Sequence, residues 1–196
     1  MILPIIAYGD PVLRKVCTDI DQQFEGLETL IRNMWDTMYN ANGVGLAAPQ
    51  IGLPIRLFMV DTSPFAEDED LTKEEQQELA EFKKVFINAK MVEETGTTWP
   101  FNEGCLSIPD IREDVSRKDT INIEYMDEQF NVHTHTYDGL LARVIQHEYD
   151  HIEGILFTDK VSSLKKRLLK GKLTNISKGK IEVDYKMRFP LLKKAR

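Results

Sequence analysis

The stretch Asp138–Gly154, DGLLARVIQHEYDHIEG, decides how this chain is read. Leu140, Leu141, Val144 and Ile145 recur at helical spacing, with Asp138 placed to cap the start and Gly154 to end the run, so one helix is expected. Residues i and i+4 of a helix share a face. His147 and His151 therefore present two imidazoles one turn apart, as a single divalent ion requires. Glu148 follows the first of them, where a general base can lie beside a metal-bound water. The pattern points to metal-assisted hydrolysis and asks the rest of the chain for a third ligand.

Working outward, Leu27, Leu30, Ile31, Met34 and Met38 mark an amphipathic helix over 26–41, with Gly43 as its stop. GVGLAAPQIGLP (43–54) reads as an ordered loop or irregular strand, and Ile55–Asp61 as a buried strand. Thr72 and Glu75 form a capping box for a short helix over 72–84. Short strands are expected at Val85–Asn88, Lys90–Thr95, Thr120–Met126 and Phe130–Tyr137, the last two joined by a turn at Asp127-Glu128. Ser162 or Ser163 can cap a last helix from Leu164 to about Lys170. These elements make an α+β fold, with mostly antiparallel strands packed around the central histidine-bearing helix and a C-terminal helix after it.

The 196 residues suit a single domain, 1–196. Residues 64–82 read as an acidic surface insertion and 171–196 as a basic C-terminal extension. A net charge of -7 argues against a nucleic-acid backbone as the main partner. No apolar run is long enough to span a membrane, and the N-terminus makes a poor signal peptide. Two cysteines are too few for a disulfide scaffold, so a cytoplasmic protein with reduced thiols is expected.

His133 and His135 alternate on one face of a strand and read as exposed histidines; Cys17, in VLRKVCTDI, reads as a small core residue. Cys105 differs. It lies in FNEGCLSIP (101–109), a loop-like stretch where Gly104 lets the backbone approach a metal or substrate. A buried structural cysteine is the competing reading.

GVGLAAPQIG, EGCLS and QHEYDH, in that order, resemble the three signature motifs of bacterial-type peptide deformylases. Their key positions lie 105 − 50 = 55 and 147 − 105 = 42 residues apart. The resemblance runs from DPVLRKV through the motif helix. It implies removal of the formyl group from the N-formyl-methionine of newly made polypeptides, releasing formate. It also implies one divalent metal held by Cys105, His147 and His151. Ferrous iron is expected in the cell; Zn, Ni and Co also suit one thiolate and two imidazoles. Glu148 would serve as general base, then acid. The Gln50 amide and the Leu106 backbone N–H would donate to the developing oxyanion, although from the residues alone Gln50 is equally a loop-fixing amide.

Gly43, Val44 and Gly45 would let the substrate run beside their loop as an added strand. Val44, Leu140, Val144 and Phe101 match the methionine pocket, though each reads equally as core packing. Glu103 and Gly104 complete the substrate-side set, and Arg112 is placed to pair with Glu103 behind Cys105, or else is an unrelated surface charge. Asp150 would orient a group behind the site or face solvent. Arg143 departs from the family's usual apolar residue and would snorkel to solvent or line the pocket rim. The partner is the nascent chain, with proximity to the ribosome suggested only by the basic tail, and a monomer is expected.

Two rivals share the helix motif. A zinc peptidase of internal bonds needs a downstream His or Glu ligand, and Glu153 and Asp159 lie too close for the usual spacing. A module merely stapled by metal needs four closed ligands and leaves Glu148 without a purpose.

Overall fold

The computed structural model describes residues 1–191. In chain order it contains strand β1 (Ile5–Ile6), helix α1 (Leu27–Asn40), strands β2 (Gly45–Ala47) and β3 (Leu57–Asp61), helix α2 (Lys73–Glu81), strands β4 (Lys83–Cys105), β5 (Ile108–Met126) and β6 (Val132–Asp138), helices α3 (Gly139–Ile152) and α4 (Ser163–Ser177), and strand β7 (Met187–Arg188). Strands β2 to β6 form one antiparallel sheet in sequence order, and β1 pairs with β7 in a separate parallel pair.

The α+β expectation holds, and the alternation of side chains in β3 explains why. All five residues of LFMVD are buried, so both faces of the strand must be covered. Phe58 and Val60 join Leu141, Ala142, Val144 and Ile145 of α3 in one cluster. Leu57 and Met59 face the other way and join Ile31, Met34 and Met38 of α1. The histidine-bearing helix is thus clamped to the sheet through its apolar stripe. A third cluster, including Leu169, Leu173 and Ile176 of α4, closes the end of the molecule near Ile108 and Val115.

Several boundaries differ from the sequence expectations. The strands expected at 85–88 and 90–95 are one strand with register shifts, running on to Cys105, so of the loop-like stretch expected at 101–109 only Leu106 and Ser107 lie between strands. The apolar pattern fades because Glu93–Thr98 is exposed on both faces. Similarly, β5 starts at Ile108 rather than Thr120. Asp138 occupies the cap position of α3 but makes no side-chain bond there. Thr72 and Glu75 do form the expected capping box, and Ser162 caps α4 by accepting from the Lys165 N–H. Helix α4 extends to Ser177 rather than Lys170, and β7 pairs with β1, so residues 171–188 of the expected extension belong to the folded body. Its last residues, 192–196, lie outside the described part.

Candidate metal centre

Cys105 ends β4 and the two histidines stand one turn apart on α3. One ligand atom from each of Cys105, His147 and His151 lies within 4.8 Å of the others, the only such group among the described residues. The Cys105 Sγ is 3.3 Å from His151 Nε2. A tetrahedral ion with bonds of ~2.3 Å to sulfur and ~2.0–2.1 Å to nitrogen spaces its ligand atoms about 3.5 Å apart, so the trio fits one ion. The second nitrogen of His147 agrees. His147 Nδ1 donates to Glu103 Oε2 at 2.9 Å, leaving its Nε2 for the metal. Burial, reinforced by the charges of His147 and Arg117, holds His151 well below the usual imidazole range and hence neutral. Burial also opposes charge on His147, but the Cys105 sulfur and the Glu103 carboxylate outweigh it and push that imidazole up to about 10. An incoming ion therefore displaces a proton there. The proposed downstream ligands of a peptidase are engaged elsewhere, Glu153 with Arg56 and Asp159 with Arg14.

Behind the ligands the ion pairing differs from the sequence expectation. Arg112 does not reach Glu103; its guanidinium bonds the Asn102 side chain and carbonyl on the exposed face. Glu103 is instead gripped by Arg117 at 2.7 and 2.9 Å and by Arg143 at 3.0 Å. Arg117 continues to Asp150 at 2.6 Å, so Asp150 is buried and braces this network. Arg143 does not snorkel: it is 1% exposed, donates to the carbonyls of Trp99 and Val115, and lies over the Trp99 ring at 4.5 Å.

Cys105 and His147 open onto a cleft of about 720 Å³. Gly43, Val44, Gly45, Gln50, Phe101, Glu103, Gly104, Leu106, Val144 and Glu148 all line it. Leu140 does not; it is half-buried against the cluster between α3 and the sheet. Gln50 is fixed through its Oε1, which accepts from the Ala47 N–H at 2.8 Å. Its Nε2 points to Cys105 Sγ at 3.5 Å and Ser107 Oγ at 3.4 Å. The amide thus fixes its own loop through Oε1 while its N–H side faces Cys105. Glu148 has a buried Oε2 without a hydrogen-bond partner, and burial pushes its carboxyl up to about 7 despite the pull of His147. A Cβ at Gly45 would overlap that carboxylate, which explains glycine at this point. His133 bonds Asp127, far from the ligands, and Cys17 is buried.

Three contributors escaped the sequence. Arg117 braces Glu103. Phe65, from the acidic segment, lines the cleft and meets the edge of Phe101 at 6.4 Å. Tyr185 lines the cleft from near the C-terminus, and no spacing rule links it to the motifs.

The chain matches the family model described as polypeptide deformylase over residues 2–167. A peptide deformylase of Christiangramia forsetii is 69% identical over 196 residues, covering 100% of each chain. One from Flavobacterium johnsoniae is 63% identical over 196 residues, again covering 100% of each. The crystal structure of a peptide deformylase from Legionella pneumophila superposes with a TM-score of 0.75 at 36% identity, covering 92% of this chain and 98% of that one.

Proposed function

The chain belongs to the polypeptide deformylase family, and from that premise we propose that Cys105, His147 and His151 hold one divalent ion while Glu148 carries the proton of hydrolysis. The enzyme removes the formyl group from N-formyl-methionine at the start of new polypeptides and releases formate, and it is metal-dependent. Ferrous iron is the ion proposed for the cell, with Zn, Ni or Co able to take its place. When bound, the ion makes hydroxide available near neutral pH and polarises the formyl carbonyl.

The protein residues do the rest. Glu148, buried and without a partner on Oε2, takes the proton of the attacking water and hands it to the leaving amine. The Gln50 amide and the Leu106 N–H donate to the oxygen that gains negative charge. Such donors are each worth about 3–4 kcal/mol when aimed at the transition state. Gly43 to Gly45 would pair with the peptide backbone, and Val44, Val144 and Phe101 would take the methionine side chain. Leu140 supports that wall from behind. Glu103 orients His147.

The observation that carries this reading is the grouping of one cysteine sulfur and two imidazoles at the wall of a cleft that the unpartnered Glu148 carboxylate also lines. Protein loaded anaerobically with iron should release formate from N-formyl-Met peptides, with the N-acetyl analogues poor substrates. Glu148→Ala should keep its metal and lose roughly 10²–10⁴-fold in kcat. Full activity in that variant would refute the role.

The same reading carries a cytoplasmic monomer whose basic stretch from Lys165 onward favours proximity to the ribosome. Its support is charge alone. Among the described residues no helix is long and apolar enough to cross a membrane. Residues 64–82 and 171–196 are proposed as additions to one catalytic domain.

A further inference from the structure

The tip of the β4–β5 hairpin carries both Cys105 and Leu106. Cys105 pairs with Ile108, so Leu106 and Ser107 alone make the connection. Neither has a positive φ, so the turn is not a primed type, the kind whose twist suits a two-residue hairpin. A register shift between Gly104 and Cys105 disturbs the ladder beside it, and Asp110 has a φ of 61°. The position of this tip therefore depends on contacts from outside the hairpin.

Gln50 reaches the Cys105 and Ser107 side chains, while the backbone carbonyls of the tip are held by residues near β1 and β7. The Tyr8 N–H donates to the Ser107 carbonyl at 2.8 Å. The Tyr185 hydroxyl donates to the Leu106 carbonyl at 2.8 Å. Tyr8 lies just beyond β1 and Tyr185 just before β7, and these strands pair with each other. The two tyrosines thus form the arms of one clasp, fastened by the parallel pair. Tyr185 lies outside residues 2–167, the part that matches the family model.

We propose that Tyr185 is a positioning residue for deformylation: its hydroxyl fixes the Leu106 carbonyl, and so holds the N–H of the same residue on the oxygen of the formyl group. The proposal rests on the reading of Leu106 as an oxyanion donor. The carbonyl and N–H of Leu106 flank one Cα, so restraining the first limits the swing of the second. A donor aimed at the transition state must be held before the reaction, because a free turn would lose that alignment. An interaction made only in the transition state changes kcat and leaves KM nearly unaltered.

Tyr185→Phe keeps the ring and removes only the donor. In the iron-loaded enzyme acting on an N-formyl-Met peptide, kcat should fall about three- to tenfold with KM within about twofold, as expected for one lost hydrogen bond. Metal content should not change. In the metal-free protein, the amides of Leu106 and Ser107 should exchange faster in deuterium oxide, while those of α3 keep their rates. An unchanged kcat, a loss confined to KM, or exchange that rises equally in α3 would each overturn the proposal. Leu106→Pro, which removes the N–H itself, separates this result from the underlying reading. A large kcat loss in Leu106→Pro beside a normal Tyr185→Phe removes Tyr185 alone. A normal kcat in Leu106→Pro removes the donor assignment, and this inference with it.

Discussion

Glu103 accepts hydrogen bonds from Arg117, Arg143 and His147 at once. Burial alone would raise its pKa, but the Arg117 guanidinium and the His147 imidazole outweigh it and hold the carboxyl well below the usual range. The sign of its linkage follows. Its folded pKa is depressed, so its stabilisation is present above the unfolded value of about 4.3 and is lost as pH falls below it. Replacing Glu103 by Gln leaves two buried guanidiniums short of an anion. The metal-free protein should lose about 3–5 kcal/mol of stability at pH 7, and metal affinity should drop about 10–100-fold as His147 loses its anchor. Urea unfolding and metal titration check the two effects separately. The trio was legible in the sequence because helical spacing pairs His147 with His151 and the resemblance carried by EGCLS adds Cys105, which Gly104 alone left open. The partner of Glu103 was not, because strand parity decides it. Glu103 stands opposite Glu113, and Arg117 lies on that same buried face. Arg112 stands opposite Gly104 and points the other way.

Among the elements, α3 is bolted to the β4–β5 hairpin by Arg143, whose guanidinium spans Glu103, the Trp99 carbonyl and the Val115 carbonyl. A lysine offers a point charge in place of that planar fork. Arg143→Lys should therefore destabilise the protein by about 2 kcal/mol, read as a lower urea midpoint at unchanged slope. The helices were readable from their 3.6-residue stripes and caps. The long strands were not. The middle of β4 is exposed on both faces, and register shifts interrupt its period-2 pattern; in β5 burial does alternate, but the charged Arg117 takes one of the buried positions and hides the pattern. The acidic segment shows the same limit. Its capping box announced α2, but nothing local showed that Phe65 would reach the cleft.

At the scale of the whole molecule, the basic C-terminal stretch read as a solvated extension because its charge hides its few apolar residues. Yet Tyr185 and Met187 pack into the cluster around α1, and the Ile5 and Ala7 N–H groups bond the carbonyls of Lys186 and Arg188. A chain ending at Gly179 should lose this cover over Ile5 and Ile6, which are fully buried. Its Tm should fall by roughly 5–10 °C, which corresponds to a loss of about 2–3 kcal/mol in a domain of this size. Differential scanning calorimetry against the full chain checks it, and an unchanged Tm would show that β7 adds no stability.

The pairing of β1 with β7 also sets an order of events. Ile5 and Met187 are joined across almost the whole sequence, the kind of distant contact that closes late in folding. Synthesis runs from the N-terminus, so the segment bearing Tyr185 emerges after every other element that the site uses. The clasp on the Leu106 turn can close only once that segment has cleared the ribosome. In an enzyme that acts on unfinished chains, the Tyr185 contact on the Leu106 turn would thus form only after the rest of the site has been made.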